Sequence, residues 1–269
     1  MLNFVVALPC EAQPLIRRFR LHGSNKYGSF HIYASDNYRL IQTGIGKLNA
    51  AIATTYLANI DQDSHCAWLN IGIAGSAEFS LGSAVLANKI CDQGSGQHWY
   101  PGFIFPPITS SSELITVDQA QTQYADNSMY DMEASGFYNA ANRFAPVEFV
   151  HCLKIISDNP ASPAHHITEK KANELIESNL DQCVDLAEQL QHKLNDWQLI
   201  NDIPREYEKM LSRWHFSVYQ QNQLKQLLKR WQTLNGHNAV LSTDILRCQN
   251  AKQVLVQLNH ILQKNSVII

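Results

Sequence analysis

Apolar residues fall along this chain in two regimes. In the first, short apolar runs alternate with segments of helical spacing. Asn3–Leu8 is a run with β-branched residues and reads as a strand, followed by a helix over Glu11–Phe19 with Leu15, Ile16 and Phe19 on one face. Phe30–Ala34 and Arg39–Thr43 read as strands joined at Ser35-Asp36-Asn37, and Leu48–Ile60 as a helix. Ala67–Ile73 and Ser83–Ile90 read as strands, Met132–Phe144 as a helix and Val147–Ser157 as a long strand. Such alternation predicts an α/β fold, a sheet covered by helices.

The second regime is helical. From Glu169 to Leu194 the apolar positions Ala172, Leu175, Ile176, Leu180, Cys183, Val184, Ala187 and Leu190 form one stripe, with Thr168 as its N-cap. Tyr207–Trp214, Leu224–Leu234 and Ala251–Leu262 follow with the same spacing. Strand signals stop near Asn195, which separates an α/β domain over 1–195 from a helical extension over 196–269. Trp214, Phe216, Trp231 and Leu234 are the apolar face with which that extension is expected to pack on the domain, because large aromatic rings are costly to leave in water.

Composition narrows the class. Of 269 residues, 45% are hydrophobic and 17% charged, which fits a folded globular chain and excludes disorder. No apolar run is long enough for a membrane span, and the N-terminus lacks a basic leader and cleavage site, so it reads as a strand rather than a signal peptide. None of the six cysteines lies in a C-x-x-C pair. They are expected to be reduced core residues of a cytoplasmic protein, and their spacing argues against a structural zinc site. The net charge of −3 does not favour nucleic acid as a partner. Residues 196–269 hold nine Lys/Arg against five Asp/Glu and residues 1–195 twelve against nineteen, an asymmetry that reads as a solvated helical face.

Two glycine-rich turns follow strands: Thr43-Gly44-Ile45-Gly46-Lys47, and Asn70-Ile71-Gly72-Ile73-Ala74-Gly75-Ser76. Glycines at the carboxyl end of a strand let backbone N–H groups approach a ligand, and α/β sheets bind ligands there. Neither turn is a nucleotide P-loop or a dinucleotide fingerprint: Lys47 precedes Leu48, Ile41 stands at the first glycine position, and the third glycine of the dinucleotide pattern is missing. Three carboxylates also stand at strand exits or helix starts, Glu11, Glu133 and Asp158. Acids so placed converge above a sheet. Each has a plain structural alternative, Glu11 and Glu133 at helix N-termini and Asp158 at a turn.

Taken in order, these segments resemble the nucleoside phosphorylase/nucleosidase family, in particular the methylthioadenosine/S-adenosylhomocysteine nucleosidases. The matching segments are Ala7-Leu8-Pro9-Cys10-Glu11-Ala12, Thr43-Gly44-Ile45-Gly46, Gly72-Ile73-Ala74-Gly75, Met132-Glu133-Ala134 and Ile156-Ser157-Asp158, across roughly residues 1–190. The chain departs from the family in a shorter segment between Ile90 and Asp131, in Gly82-Ser83 where Gly-Asp is usual, and in Asn159-Pro160 after Asp158. The resemblance implies a three-layer α/β/α phosphorylase/hydrolase-like fold with a central mixed sheet. It implies cleavage of the N-glycosidic bond of a purine nucleoside.

The resemblance also assigns roles. Asp158 would protonate or hydrogen-bond the leaving base, and Glu11 would orient or activate the nucleophile. Glu133 would take the ribose hydroxyls and Met132 would pack on the sugar, with Gly44, Gly46, Lys47, Gly75 and Ser76 completing the substrate site. No metal and no cofactor are implied. Phosphate would be a co-substrate if the enzyme is a phosphorylase, but residues 40–90 contain no arginine to hold it, which favours water. The expected partners are a small-molecule nucleoside and further copies of the chain in a homo-oligomer, with neither nucleic acid nor membrane. A phosphorylase, or a catalytically silent relative that binds a nucleoside or a protein partner, remains open. Trp99 and Tyr100 are candidates to stack on a base, and His165 and His166 are candidates to flank the site.

Overall fold

In the computed structural model, the structure describes residues 1–24, 30–60, 65–120, 124, 127–201, 205–236 and 243–265. The chain divides into two compact units, Met1–Leu194 and Asn195–Ile269.

The first unit opens with strand β1 (Leu2–Val6), buried along its whole length, and helix α1 (Pro9–Arg18). Strands β2 (His22–Ser24), β3 (His31–Ala34) and β4 (Tyr38–Gln42) precede helix α2 (Lys47–Ile60). Next come β5 (Ala67–Ser76), β6 (Ala84–Asp92), β7 (His98–Trp99), β8 (Ser110–Thr116) and β9 (Met129–Asp131). Helix α3 (Ala134–Ala141), strand β10 (Val150–Asp158) and helices α4 (Glu169–Ser178) and α5 (Leu180–Asn201) follow.

All ten strands belong to one mixed sheet. Strand β1 lies between β4 and β5, parallel to both, and β5 continues parallel to β10. Beyond that point the sheet curls back on itself. Strand β10 pairs antiparallel with β6, β6 parallel with β8, β8 parallel with β9, and β9 antiparallel with β5. Thus β5 belongs both to the open sheet and to a closed ring of five strands. Helix α1 packs with α4 and α2 with α3, which completes the three-layer α/β/α arrangement. Among the described residues, no helix is long and apolar enough to cross a membrane, and all six cysteines are free thiols.

Several boundaries differ from the sequence expectation for identifiable reasons. The helix expected from Met132 begins at Ala134, because Oδ2 of Asp131 accepts the Ala134 N–H at 2.9 Å and leaves Met132 and Glu133 outside the helix. The stripe over Glu169–Leu194 is two helices. They break at Asn179, whose buried side-chain amide donates to the carbonyls of Leu175 (2.8 Å) and Gly82 (3.0 Å). Strands β2, β7, β8 and β9 were not among the expected elements.

The second unit is helical: α6 (Arg205–Arg213), α7 (Val218–Asn235), α8 (Thr243–Leu246) and α9 (Ala251–Asn265), with α5 running across the division. Ser217 and Gln220 cap the start of α7 reciprocally. Trp214 and Phe216, expected to face the α/β domain, are buried in the unit's own core with Tyr207, Met210, Leu224, Leu228, Ile245 and Leu258. The Trp214 indole N–H is satisfied within the unit, donating to the Cys248 carbonyl at 3.0 Å.

Candidate active site

A cavity of about 310 Å³ opens at the carboxyl ends of the parallel strands β1, β5 and β10. Small-molecule sites run from about 300 to 1,000 Å³. Leu8 and Glu11 after β1, Ile73, Ala74 and Gly75 of β5, and Ser157 and Asp158 of β10 line it. Tyr124, Tyr130, Asp131, Met132 and Glu133 close one side, and Ala164, Ile167 and Ala172 another.

Glu11 sits in the first turn of α1, where helix N–H groups lack intrahelical partners. Its Oε2 accepts the Leu8 N–H at 2.9 Å and its Oε1 the Ile73 N–H at 2.9 Å, which ties the helix start to β5. Full burial raises its pKa above the usual carboxylate value, while the two amides and the charge of Lys154 pull in the other direction. At Gly72 an added Cβ would lie 3.1 Å from Glu11 Oε1 and 3.5 Å from Lys154 Nζ. The missing side chain is what admits both groups.

Glu133 immediately precedes α3 and is nearly buried. The Gly46 N–H donates to its Oε1 at 2.8 Å. Gly46 has φ of +101°, a left-handed conformation that glycine adopts without penalty and that turns the chain from β4 into α2. Burial, reinforced by the neighbouring charge of Asp131, pushes the Glu133 pKa up to about 7.

Asp158 ends β10 at a register shift: Ile156 faces Ala74 and Asp158 faces Gly75, with Ser157 as the extra residue. Bulges re-aim side chains next to functional sites, and here both Ser157 and Asp158 face the cavity. The Ser157 hydroxyl donates to Oδ1 of Asp158 and the Tyr124 hydroxyl to Oδ2. Burial and the Asp158 carboxylate raise the pKa of Tyr124. A Cβ on Gly75 would overlap Tyr124 and Asp158, so only glycine fits beneath that pair.

Beneath the acids lies a buried ion pair, with Nζ of Lys154 at 2.8 Å from Oδ2 of Asp131. Burial opposes the charge on Lys154, but Asp131 and Glu133 outweigh it and hold the lysine pKa above its ordinary value. Thr116 donates to Oδ1 of Asp131 at 2.8 Å. Lys154 thus lies behind the cavity wall, within electrostatic reach of the three acids Glu11, Asp131 and Glu133.

The structure thus brings Glu11, Met132, Glu133, Gly75 and Asp158 together at the cavity wall. Gly46 contributes through its amide on Glu133. Gly44, Lys47 and Ser76 are not part of the wall. The Lys47 ammonium is held by Asp92 at 3.0 Å and Asp118 at 2.9 Å, and Ser76 is buried, donating to the Ser128 carbonyl at 3.1 Å. Trp99 packs near Tyr138 and Tyr100 is exposed, so the aromatic wall is instead Tyr124 and Tyr130, with ring centroids 5.6 Å apart. His165 and His166 are exposed beside Ala164 and Ile167 and flank the cavity without lining it.

Sequence reasoning missed Asp131, Lys154, Tyr124 and Tyr130. A signal existed for Lys154: a lysine inside an otherwise apolar strand is buried only with a partner, which implies a neighbouring acid.

No family model and no curated protein sequence matches this chain. Solved structures do. The apo 5′-methylthioadenosine nucleosidase of Arabidopsis thaliana superposes with a TM-score of 0.60 at 15% identity, covering 70% of this chain and 95% of that one. The 5′-methylthioadenosine/S-adenosylhomocysteine nucleosidase of S. pneumoniae, bound to a transition-state inhibitor, gives 0.55 at 16%, covering 69% and 97%. The nucleosidase of Colwellia psychrerythraea in complex with adenine gives 0.55 at 18%, covering 72% and 95%. At these identities the likeness establishes a shared fold.

Proposed function

We propose that this chain hydrolyses the N-glycosidic bond of a purine nucleoside. The observation that carries this reading is the convergence of Glu11, Glu133 and Asp158 on one cavity at the carboxyl edge of a nucleosidase-like fold. Breaking a ribosyl C–N bond builds positive charge on the sugar and negative charge on the base, as in an oxocarbenium-like transition state. Asp158, at the wall that holds the two tyrosines, hydrogen-bonds or protonates the leaving base. Glu133, with one oxygen held by Gly46, takes the ribose diol on the other. Glu11, its basicity raised by burial, accepts a proton from the attacking water. Lys154 balances the negative charge of the three neighbouring acids.

Water is favoured over phosphate because, among the described residues, neither arginine nor lysine lines the cavity. Lys47, the one cation of the glycine turn, is already neutralised by Asp92 and Asp118. Residues 1–195 carry the activity as the nucleosidase-like α/β domain, and residues 196–269 form a helical C-terminal extension. By the same resemblance the protein is a homo-oligomer that works without a cofactor, and its cysteines, none in a C-x-x-C pair, fit a cytoplasmic protein.

One observation favours a second reading. Both oxygens of Asp158 already accept hydroxyl hydrogen bonds, from Ser157 and Tyr124. That arrangement suits a silent relative that holds a nucleoside without cleaving it. A panel of nucleosides, assayed with and without phosphate for release of free base, separates the readings. Release independent of phosphate supports hydrolysis, and release only with phosphate identifies a phosphorylase. Tight binding without release identifies the silent relative.

A further inference from the structure

Away from the cavity, three side chains of different chemistry meet on one face of the strand ring. Cys91 of β6 and His98 of β7 are directly opposed in antiparallel register, a pairing that holds Cβ atoms about 4.5–5.5 Å apart. Glu113 of β8 is paired with Lys89. Lys89 stands two residues before Cys91 and therefore on the same face. One potential ligand atom from each of Cys91, His98 and Glu113 lies within 4.8 Å of the others.

We propose that Cys91, His98 and Glu113 form a binding site for a divalent transition-metal ion of the zinc class, with a fourth coordination position open to water. The donor set carries the choice of ion. Thiolate and imidazole suit zinc and disfavour magnesium and calcium, which take oxygen ligands. Tetrahedral zinc bond lengths place such ligand atoms about 3.3–3.6 Å apart. The three ligand atoms already lie within 4.8 Å of one another, and His98 is exposed.

Lys89 now supplies the positive charge beside Glu113, with its Nζ 2.8 Å from Oε1. That pair is partly exposed and costs little to rearrange, so the ammonium gives way when a dication arrives. Metal binding replaces the Cys91 S–H proton by an S–metal bond and releases that proton to solvent. The consequence for the fold is local. Strand β7 is only two residues long, and a bound ion fastens it, through β6, to β8. Cysteine spacing gave no zinc signal because the site is assembled by strand register from single residues of three strands.

The test uses the full chain, stripped of metal by a chelator, kept reduced, and titrated with Co²⁺ as a spectroscopic substitute for Zn²⁺. One equivalent should bind, with a thiolate-to-cobalt charge-transfer band and visible bands of four-coordinate cobalt, and Zn²⁺ should displace it. Cys91→Ser should abolish the charge-transfer band. His98→Ala and Glu113→Gln should each weaken binding by at least about tenfold, the lower end of the loss seen even for outer-shell partners. Cys66→Ser and Cys248→Ser should leave the band intact. Circular dichroism of the metal-free variants verifies their folding, and exposed His98 keeps the test decisive if Cys91→Ser does not fold. No charge-transfer band in the parent, or unchanged binding in His98→Ala or Cys91→Ser, overturns the proposal.

Discussion

The backbone N–H of Gly46 donates to Oε1 of Glu133 at 2.8 Å, across 87 residues of sequence. This bond joins the turn that leads into α2 to the residue just before α3, and it fixes one oxygen of a buried acid at the cavity wall. The same burial, with Asp131 nearby, pushes the Glu133 pKa up to about 7.

A pH dependence follows. The folded-state pKa of Glu133 is raised, so its contribution to stability is full below the unfolded value of 4.5 and is lost as pH rises through about 7. Ligand binding runs the other way, because the ionised form accepts from the ribose diol. The pH profile of kcat/KM, which reports groups of the free enzyme, should rise with an inflection near 7. Glu133→Gln should lose that inflection and raise KM. A parent profile flat across neutral pH contradicts the assignment.

How far this architecture is legible in the sequence depends on where each segment's polar residues point. Strands β1, β5 and β10 are buried almost throughout, and their apolar runs announce them. Strand β8 begins Ser110-Ser111-Ser112-Glu113 with its first residues exposed or half-buried, and β9 is three residues long. Neither has a period to read, since both are fixed by ring closure against β5 and β6. The acids at strand exits are visible because their position is set locally. Lys154 inside an apolar strand signals a buried partner, but which acid it pairs with is not visible, because Asp131 comes from another strand; Tyr124 is not visible, because its place over Asp158 and Gly75 is set by tertiary contact.

The Lys154–Asp131 pair should be costly to break. Removing one member of a buried pair leaves an uncompensated charge, at about 3–5 kcal/mol. Lys154→Met should lower unfolding stability by that order in urea titration, and it should also disturb Glu11 and Glu133. A loss below about 1 kcal/mol, the range of exposed pairs, would show that the pair is not closed off from water.

Acid should weaken the fold through His151. Its ring is buried, donates from Nε2 to the Glu148 carbonyl at 2.9 Å, stacks on Phe103 and meets Phe105 edge-on. Burial lowers its pKa from 6.5 to about 4. A depressed folded-state pKa means that stability is full above 6.5 and lost as pH falls toward 4, at about 1.4 kcal/mol per pH unit for one proton. Denaturant titrations between these limits should show His151→Leu losing this part of the slope. Parallel pH dependence in parent and variant would remove His151 as the cause.

Asp158→Asn tests the central claim most directly. Asparagine keeps the size and hydrogen-bonding capacity of the side chain but has no proton to deliver. On the best nucleoside substrate, base release should fall by a factor of about 10²–10⁴, the usual worth of a general acid. The loss should appear in kcat with KM little changed, the signature of an interaction made in the transition state. Base release by Asp158→Asn as fast as by the parent would contradict the account.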